Sequence, residues 1–177
     1  MSRREAPTDD LVDPTMTIDE IVAAHSDAVF RLARSVVQDA ALADDVTQET
    51  FIKVWRNLDS FRGDSSMRSW VLRIAHNTAV STLRTIRDRA TDPVKLPDAQ
   101  DPIGTPRVVE GRAAADQLSA ALVTFDELTR GIVVLREIEG MSYEEIADAL
   151  DVPVPTVKTR LLRARRRLST ILEGWRA

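Results

Sequence analysis

The sequence predicts an all-α protein in which a flexible linker joins two small helical domains. Apolar residues recur at spacings of three and four along most of the chain, as on one face of a helix, and no stretch alternates as a strand does. Aromatic residues are only 5% of the 177 residues, which favours helical bundles over sheet sandwiches. Residues 90–111 contain four prolines and little apolar periodicity, so they are predicted to be a linker.

The amino-acid composition excludes several kinds of site and indicates where the protein works. The chain has no Cys, so disulfides and thiolate metal sites are excluded, and its two histidines do not form a metal-binding motif. The tail at 1–16 is polar, is predicted to be flexible and does not resemble a signal peptide. No window has the run of about 18 apolar residues that a membrane span needs. These features predict a cytoplasmic protein with no cofactor and no metal.

The first domain, residues 17–89, is predicted to contain three long helices. A capping box of Thr17 and Glu20 begins the first, which extends to about Val37. The second covers about 41–58, and the third about 67–89. In the second helix the predicted inward-facing residues are Leu42, Val46, Ile52 and Trp55.

The second domain, residues 112–173, is predicted to end in a helix-turn-helix. Helices are expected at about 113–125 and 129–139, and Gly140 is suited to end the latter. The residues expected to be buried in the 129–139 helix are Ile132, Val133, Leu135 and Ile138.

A capping box of Ser142 and Glu145 then begins a short helix, which stops at residues 151–153. Along the following helix one buried face is predicted from Val157, Leu161, Ala164, Leu168 and Ile171. Two helices joined by such a turn are typical of a DNA-binding motif whose second helix enters the major groove.

Charge changes sign across this motif. Residues 113–151 have 2 Arg and 9 acidic residues, a balance of −7, whereas residues 152–177 have 7 basic residues and 1 Glu, a balance of +6. A second basic stretch lies at residues 62–89, with 6 Arg and 2 Asp. Such separation indicates surfaces that meet phosphates, although a helical hairpin with a solvated basic face would show the same charge pattern.

Three motifs in this order resemble the bacterial extracytoplasmic-function (ECF, group IV) RNA polymerase sigma factors. They are the stretch 44–51 (DDVTQETF), the stretch 61–77, which opens with FRGDSS and ends with RIAHN, and the terminal helix-turn-helix. The resemblance covers about residues 17–172. It implies a transcription initiation factor whose sigma-2-like domain binds core polymerase and opens the −10 element, and whose sigma-4-like domain reads the −35 element and contacts the polymerase flap.

The resemblance assigns polymerase binding to the second helix, which would grip the clamp coiled coil of the largest subunit. The matching residues are Asp44, Asp45, Gln48 and Glu49. Helix capping and compensation of the helix dipole at the start of the helix are an alternative explanation for Asp44 and Asp45.

The resemblance also assigns −10 recognition to the loop at 61–66 and the helix after it. The matching residues, with arginines as candidates for phosphate contacts, are Phe61, Arg62, Gly63, Asp64, Ser65, Ser66, Arg73, Asn77, Ser81 and Arg84. The loop would hold a flipped base, or it is a solvated turn in which Ser66 caps the helix. Trp70 is expected in the core rather than as a stacking platform.

The implied −35 readers lie on the recognition helix, opposite its apolar stripe, and they are Lys158, Thr159, Leu162, Arg163 and Arg166. The neighbouring Arg160, Arg165 and Arg167 would bind phosphates or nothing. Pro155 stands where the family usually has Gly, which removes a backbone donor from the first turn.

The implied partners are core RNA polymerase, promoter DNA and an anti-sigma protein, without membrane insertion by this chain. A stand-alone dimeric regulator is the main alternative, but it needs neither the acidic patch nor the second basic helix. A protein-interaction module is a third, but it would not need Lys158 and Arg163 on an open face. An enzyme is not expected, because the sequence has no Cys, no His–carboxylate motif and no phosphate-binding Gly loop. The sequence does not indicate the promoters, the inducing signal or the role of Trp175.

Overall fold

The computed structural model describes residues 16–90 and 120–173, with side chains as far as residue 170. Nearly all of the predicted tail and linker, much of the helix predicted at 113–125, the Ile171 side chain and Trp175 lie outside these residues. The described part of the chain is helical and has no strand. Its elements are α1 (Ile18–Val37), α2 (Ala40–Asn57), a 3₁₀ turn (Leu58–Ser60), α3 (Met67–Ala90), α4 (Glu127–Val133), a π-helical turn (Val134–Ile138), α5 (Tyr143–Leu150) and α6 (Val154–Glu173).

Local sequence signals account for the helix boundaries of the first domain. Thr17 and Glu20 form the predicted capping box, in which the Thr17 amide donates to the Glu20 carboxylate at 2.8 Å. Gln38 takes a left-handed conformation with φ of 60° and ends α1. Asp39 caps α2 by accepting from the Leu42 amide at 2.8 Å. Helices α1, α2 and α3 therefore begin and end close to the predicted positions, and they pack against one another.

The inner face of α2 differs from the prediction. Ala43, Val46, Thr50 and Val54 are buried, at the period of one helix face, and the Thr50 hydroxyl donates to the Val46 carbonyl at 2.6 Å. Because Thr50 satisfies its hydroxyl locally, it can occupy an inward position that the apolar pattern did not predict.

The prediction that Ile52 and Trp55 face inward is wrong. Ile52 is 41% exposed and Trp55 is 63% exposed, because both lie outside the stripe that includes Val46 and Val54. Leu42, also predicted to face inward, is half-buried and packs against the core. Trp70, expected in the core, is half-buried, with its ring centroid 5.1 Å from that of Phe61.

The predicted 129–139 helix begins earlier and changes type along its length. The α-helical part ends at Val133, and the π-helical turn follows, in which the Glu139 amide donates to the Val134 carbonyl at 3.0 Å. A π turn holds one more residue than an α turn, so it rotates the side chains that follow it. Ile138, predicted to be buried, is therefore 47% exposed, whereas Glu139 is 9% exposed. Gly140, with φ of 69°, ends the element as predicted.

The helix-turn-helix is confirmed in detail. Ser142 and Glu145 form the capping box of α5, and Asp151, with φ of 54°, ends that helix. Helix α6 follows after two residues, and its buried stripe contains Val157, Leu161 and Ala164.

The two domains pack on each other and share one buried apolar cluster. Helix α1 contacts α4, and α3 contacts α5, whereas the main partners of α6 are α4 and α5 within its own domain. Gly131 of α4 lies beside α3, and a Cβ there would be 3.4 Å from the His76 ring, which is an ordinary van der Waals distance. Buried Arg130 adds a polar link by donating to the Val36 carbonyl near the end of α1, at 2.8 Å.

A buried carboxylate joins the two domains. The Glu139 side chain is only 3% exposed, and it accepts from Arg31 Nε at 2.6 Å and from Arg68 at 2.8 Å. Burial alone would raise the pKa of Glu139, but the hydrogen bonds and positive charges of Arg31 and Arg68 outweigh it, so the pKa lies below its usual value. At the neighbouring contact, Arg73 of α3 is paired with Asp148 of α5 at 2.6 Å.

Replacing both Arg31 and Arg68 by Met is expected to lower the free energy of unfolding by about 3–5 kcal/mol, because Glu139 would be buried without a cation. Urea denaturation of the full chain measures the loss. Adding Glu139→Leu to the double variant should recover much of it, since no unpaired charge then remains. Arg56→Met, on the exposed part of α2, is the matched control. A double variant as stable as this control would contradict the prediction.

Lowering the pH from about 7.5 to about 5.5 is expected to destabilise the packed arrangement through His76. Burial lowers the pKa of His76, although the charge of Glu127 opposes this, whereas a solvated imidazole titrates near pH 6.5. The stabilisation by the neutral ring is thus complete above about pH 6.5 and is lost as the pH falls towards the lower pKa of the folded state.

The expected slope for this one proton is at most about 1.4 kcal/mol per pH unit. Urea unfolding at several pH values measures it, and His76→Gln should have the shallower dependence. Equal slopes in the two proteins would show that His76 does not cause the effect.

Candidate nucleic-acid interface

The outer face of α6 is open to solvent. The buried stripe of α6 faces α4 and α5, so the residues between its members point away from the protein. Leu162 lies on this outer face and is 52% exposed. Every residue predicted to read DNA from this helix is exposed: Lys158, Thr159, Leu162, Arg163 and Arg166.

Two of the other cations on α6 have structural partners. Arg160 donates to both carboxylate oxygens of Asp126, at 2.7 and 2.9 Å, and to the Thr129 hydroxyl at 2.8 Å. Arg165 is paired with Glu137 at 2.8 Å. Both arginines thus connect α6 to the residues before the motif, and phosphate binding by them stays a prediction. The Arg167 guanidinium lies 5.6 Å from the Phe125 ring centroid.

An open groove lies beside the start of α6. It encloses about 560 Å³, and its lining residues are Asp126, Thr129, Pro155, Thr156, Thr159, Arg160 and Arg163. Pro155 lies in the first turn of α6, where an amide would have no partner within the helix, so the helix tolerates it. The Thr156 amide donates back to the Pro153 carbonyl at 2.9 Å.

The loop before α3 has exposed residues at its centre and ends in a serine that caps the helix. Arg62, Gly63 and Asp64 are exposed, and Gly63 has φ of 73°, a left-handed conformation that favours glycine. Ser66 caps α3, because its hydroxyl oxygen accepts from the Ser69 amide at 3.1 Å. The capping alternative for Ser66 is thus confirmed, and Ser65 beside it is half-buried.

A groove of about 350 Å³ follows the loop along α3, which is within the size range of small-ligand pockets. Trp70 lines it, together with Asn77 and Ser81. The groove therefore brings together a π face and two polar groups, which a stacked or extruded base requires.

The sequence interpretation missed the other wall of this groove. Lys53 and Asn57 lie one turn apart on α2, and Lys53 Nζ is 3.2 Å from the Thr78 hydroxyl oxygen. Their four-residue spacing, next to the buried stripe of α2, was the available signal.

The predicted cations of α3 differ in their surroundings. Arg73 donates to the Asp148 carbonyl at 2.9 Å and is paired with the Asp148 carboxylate, so in this arrangement it is part of the contact between domains. Arg84 is exposed, as is Arg62 before the helix.

The predicted polymerase-binding residues form one face of α2. Asp44, Asp45 and Gln48 are exposed, and Glu49 is half-buried with Lys53 at 3.7 Å. Neither capping nor the helix dipole explains Asp44 and Asp45, because Asp39 is the cap of α2 and the first turn contains no acidic residue. The sequence interpretation missed the apolar part of this outer surface, formed by exposed Ile52 and Trp55.

Within residues 16–90 and 120–173, no group of three or more His, Cys, Asp or Glu residues could hold a metal ion. In the same ranges, no helix is long and apolar enough to cross a membrane.

Comparison with known proteins identifies the family. The family model of Sigma-70 region 2 matches residues 21–89, and that of Sigma-70 region 4 matches residues 115–168. The ECF RNA polymerase sigma-E factor of Haemophilus influenzae is 36% identical over 139 residues, which cover 73% of this chain and 74% of that protein. The chain belongs to the ECF sigma factors.

Other relatives agree with this assignment. The RNA polymerase sigma-H factor of Pseudomonas aeruginosa is 37% identical to this sigma factor over 88% of its chain and 86% of the relative. CnrH, solved in complex with the cytosolic domain of CnrY, is 29% identical with a TM-score of 0.67, over 89% of this chain and 88% of that one. RpoE of Bartonella quintana, solved with the anti-sigma factor NepR, shares the fold with a TM-score of 0.73 at 24% identity, over 88% and 96% of the two chains.

A sigma factor acts by binding core RNA polymerase and promoter DNA in transcription initiation. The two family matches coincide with the two helical domains, so the fold and this function are both established by the family.

Proposed function

We propose that this group IV sigma factor reads the −35 element with the outer face of α6 and the −10 element with the groove beside α3. The observation that supports the proposal best is the presence of two separate exposed surfaces, one in each domain, with the side-chain chemistry of nucleic-acid readers. The proposed domains are residues 17–89 for polymerase and −10 binding and residues 112–173 for −35 reading. Residues 90–111 join them.

Base readout on α6 follows from the chemistry of its exposed residues. Lys158 and Arg163 can donate to guanine edges in the major groove, and Leu162 can contact a thymine methyl group. Thr159 can donate or accept beside them, and Arg166 is one turn further along for a phosphate.

Capture of the −10 strand is assigned to the groove and to the loop at 61–66. Trp70 supplies a stacking surface, and Asn77 and Ser81 supply polar contacts to base edges. The loop residues Phe61, Gly63, Asp64, Ser65 and Ser66 would surround an extruded base. Arg62, Arg73 and Arg84 are assigned to strand phosphates.

Both elements can be read together only if the two domains separate. Elements 25 base pairs apart lie about 85 Å apart along B-DNA. In the packed arrangement Arg73 and Asp148 of the two domains are 2.6 Å apart. Promoter binding is therefore proposed to break this contact and to release Arg73 for DNA.

The outer surface of α2 is assigned to the clamp coiled coil of polymerase. It offers the acidic and polar groups of Asp44, Asp45, Gln48 and Glu49. To these we add exposed Trp55, because aromatic residues are frequent at the centres of protein interfaces.

An anti-sigma protein is the proposed regulator. The support is that CnrH and RpoE, which share the fold of this chain, were solved with partner proteins, one of them named an anti-sigma factor. The chain is proposed to work in the cytoplasm with polymerase, to contact the polymerase flap through the second domain and to catalyse no reaction of its own.

Reconstituted transcription tests the proposed function. Purified chain with core polymerase should produce run-off RNA from promoters recovered from the host, and neither component alone should do so. Binding of duplex promoter DNA by the chain alone, without any specific transcript, would instead indicate a stand-alone regulator.

Lys158→Ala and Arg163→Ala are expected to change −35 preference. Each bidentate base contact contributes about 1–3 kcal/mol of discrimination, so a variant should become nearly indifferent to one −35 base pair. Run-off yields from promoters with single −35 substitutions measure this. Arg160→Ala is the matched control, because Arg160 is paired with Asp126. If −35 substitutions reduce transcription equally with wild type and variants, these residues do not read bases.

Gln48→Ala, Glu49→Ala and Trp55→Ala are expected to weaken polymerase binding while leaving the fold intact, because these side chains are not in the core. For Trp55 the loss should be about 2 kcal/mol if it is central to the interface. Titration of core polymerase with labelled chain gives the affinities. Ile86→Ala, a partly exposed apolar residue on α3, is the control. Unchanged affinity in all three variants would exclude this surface as the clamp site.

A further inference from the structure

Tyr143 lies at the first position of α5, and three cations converge on it. Its half-buried ring has the Arg136 guanidinium carbon 4.8 Å from its centroid and the Lys158 Nζ 5.5 Å from it. A hydrogen bond to Glu137 and, to a smaller extent, one to Tyr143 raise the pKa of Arg165 above its usual value. Tyr143 thus contacts one cation before the helix-turn-helix and two on the recognition helix.

Two of these cations have strong oxygen partners elsewhere. Arg136 donates to the Met141 carbonyl at 2.6 Å, and Arg165 is paired with Glu137 at 2.8 Å. Lys158 is different, because within the described part of the chain it is paired with no carboxylate, and the Tyr143 ring is the contact that locates its ammonium group. An ammonium group within about 6 Å of a ring centroid is attracted by the π electrons.

The position of the Lys158 ammonium group matters for reading a base pair. A lysine side chain has four rotatable bonds, and its freedom is lost when the ammonium group is held at one base edge. The ring restricts that freedom before DNA is bound, so less side-chain entropy is lost on binding. A carboxylate would accept hydrogen bonds from the ammonium group, whereas the ring leaves its three donors available for DNA. Lys158 also stays exposed at the start of α6, where it can reach the major groove.

We propose that Tyr143 is a positioning residue for −35 readout, whose ring holds Lys158 in the orientation that contacts its base pair. The inference rests on the proposed function, since it assumes that Lys158 reads a base. It assigns the effect to the ring and not to the hydroxyl group. Loss of the Tyr143 ring should therefore reduce discrimination at one base pair only, without a general change in affinity for DNA.

The test uses the full chain with core polymerase and run-off templates in which each −35 base pair is substituted in turn. Tyr143→Met removes the π face and keeps an apolar side chain, and it should reduce discrimination about twofold to fivefold at the base pair that Lys158 reads. Discrimination at the other −35 base pairs should not change. Tyr143→Phe keeps the ring and should match wild type.

The double variant Tyr143→Met with Lys158→Met should discriminate no worse than Lys158→Met alone, because the ring acts through the lysine. If Lys158→Met loses discrimination and Tyr143→Met does not, the positioning role is wrong although the −35 assignment stands. If Tyr143→Phe loses affinity for every template equally, the hydroxyl contacts phosphate and the proposal is overturned. If Lys158→Met changes no base preference, both proposals are wrong.

Nuclear magnetic resonance of the wild-type chain tests the contact without any variant. The ε-methylene protons of Lys158 should be shifted upfield by the aromatic ring current, relative to those of the other lysines. Random-coil shifts for these protons would overturn the proposal, even if Tyr143→Met failed to fold.

Discussion

One buried carboxylate organises the packing of the two domains. Glu139 is removed from water by the π-helical turn that precedes it, and the removal of a charge from water is unfavourable unless partners replace the lost hydration. Arg31 of α1 and Arg68 of α3 supply those partners, one from each of the two helices that form the floor of the interface. Since three elements from two domains must meet at one point, this contact specifies how α4 lies against α1 and α3.

The rest of the interface is consistent with this arrangement. Gly131 of α4 lies beside the His76 ring of α3, and Arg130 donates to a carbonyl near the end of α1. Packing uses one side of α3, around Leu72, His76 and Ala79, and leaves the opposite side for the groove. The packed arrangement thus leaves the outer face of α6 and the groove beside α3 open to solvent.

The cations of α3 and α6 also divide into those that hold the fold together and those that face solvent. Arg160, Arg165 and Arg73 were all candidates for phosphates by type and position, yet each has a carboxylate partner in the folded chain. Fewer cations on α6 therefore lack a carboxylate partner than the basic sequence indicates. Lys158, held at the ring of Tyr143, and Arg163 are the exposed cations at the start of the recognition helix.

Local rules in the sequence determined the helix starts, the helix ends and the helix-turn-helix, because caps and apolar stripes act over a few residues. Tertiary structure alone decided which charges meet, since Arg31 and Glu139 are 108 residues apart and Arg73 and Asp148 are 75 apart. It also decided the outward positions of Trp55 and Ile138. A buried threonine changed the inner face of α2, and one extra residue in a π turn rotated Ile138 away from the core. Neither effect has a signal in apolar spacing, because one depends on a side-chain hydroxyl that bonds to a carbonyl and the other on a backbone hydrogen bond that spans five residues.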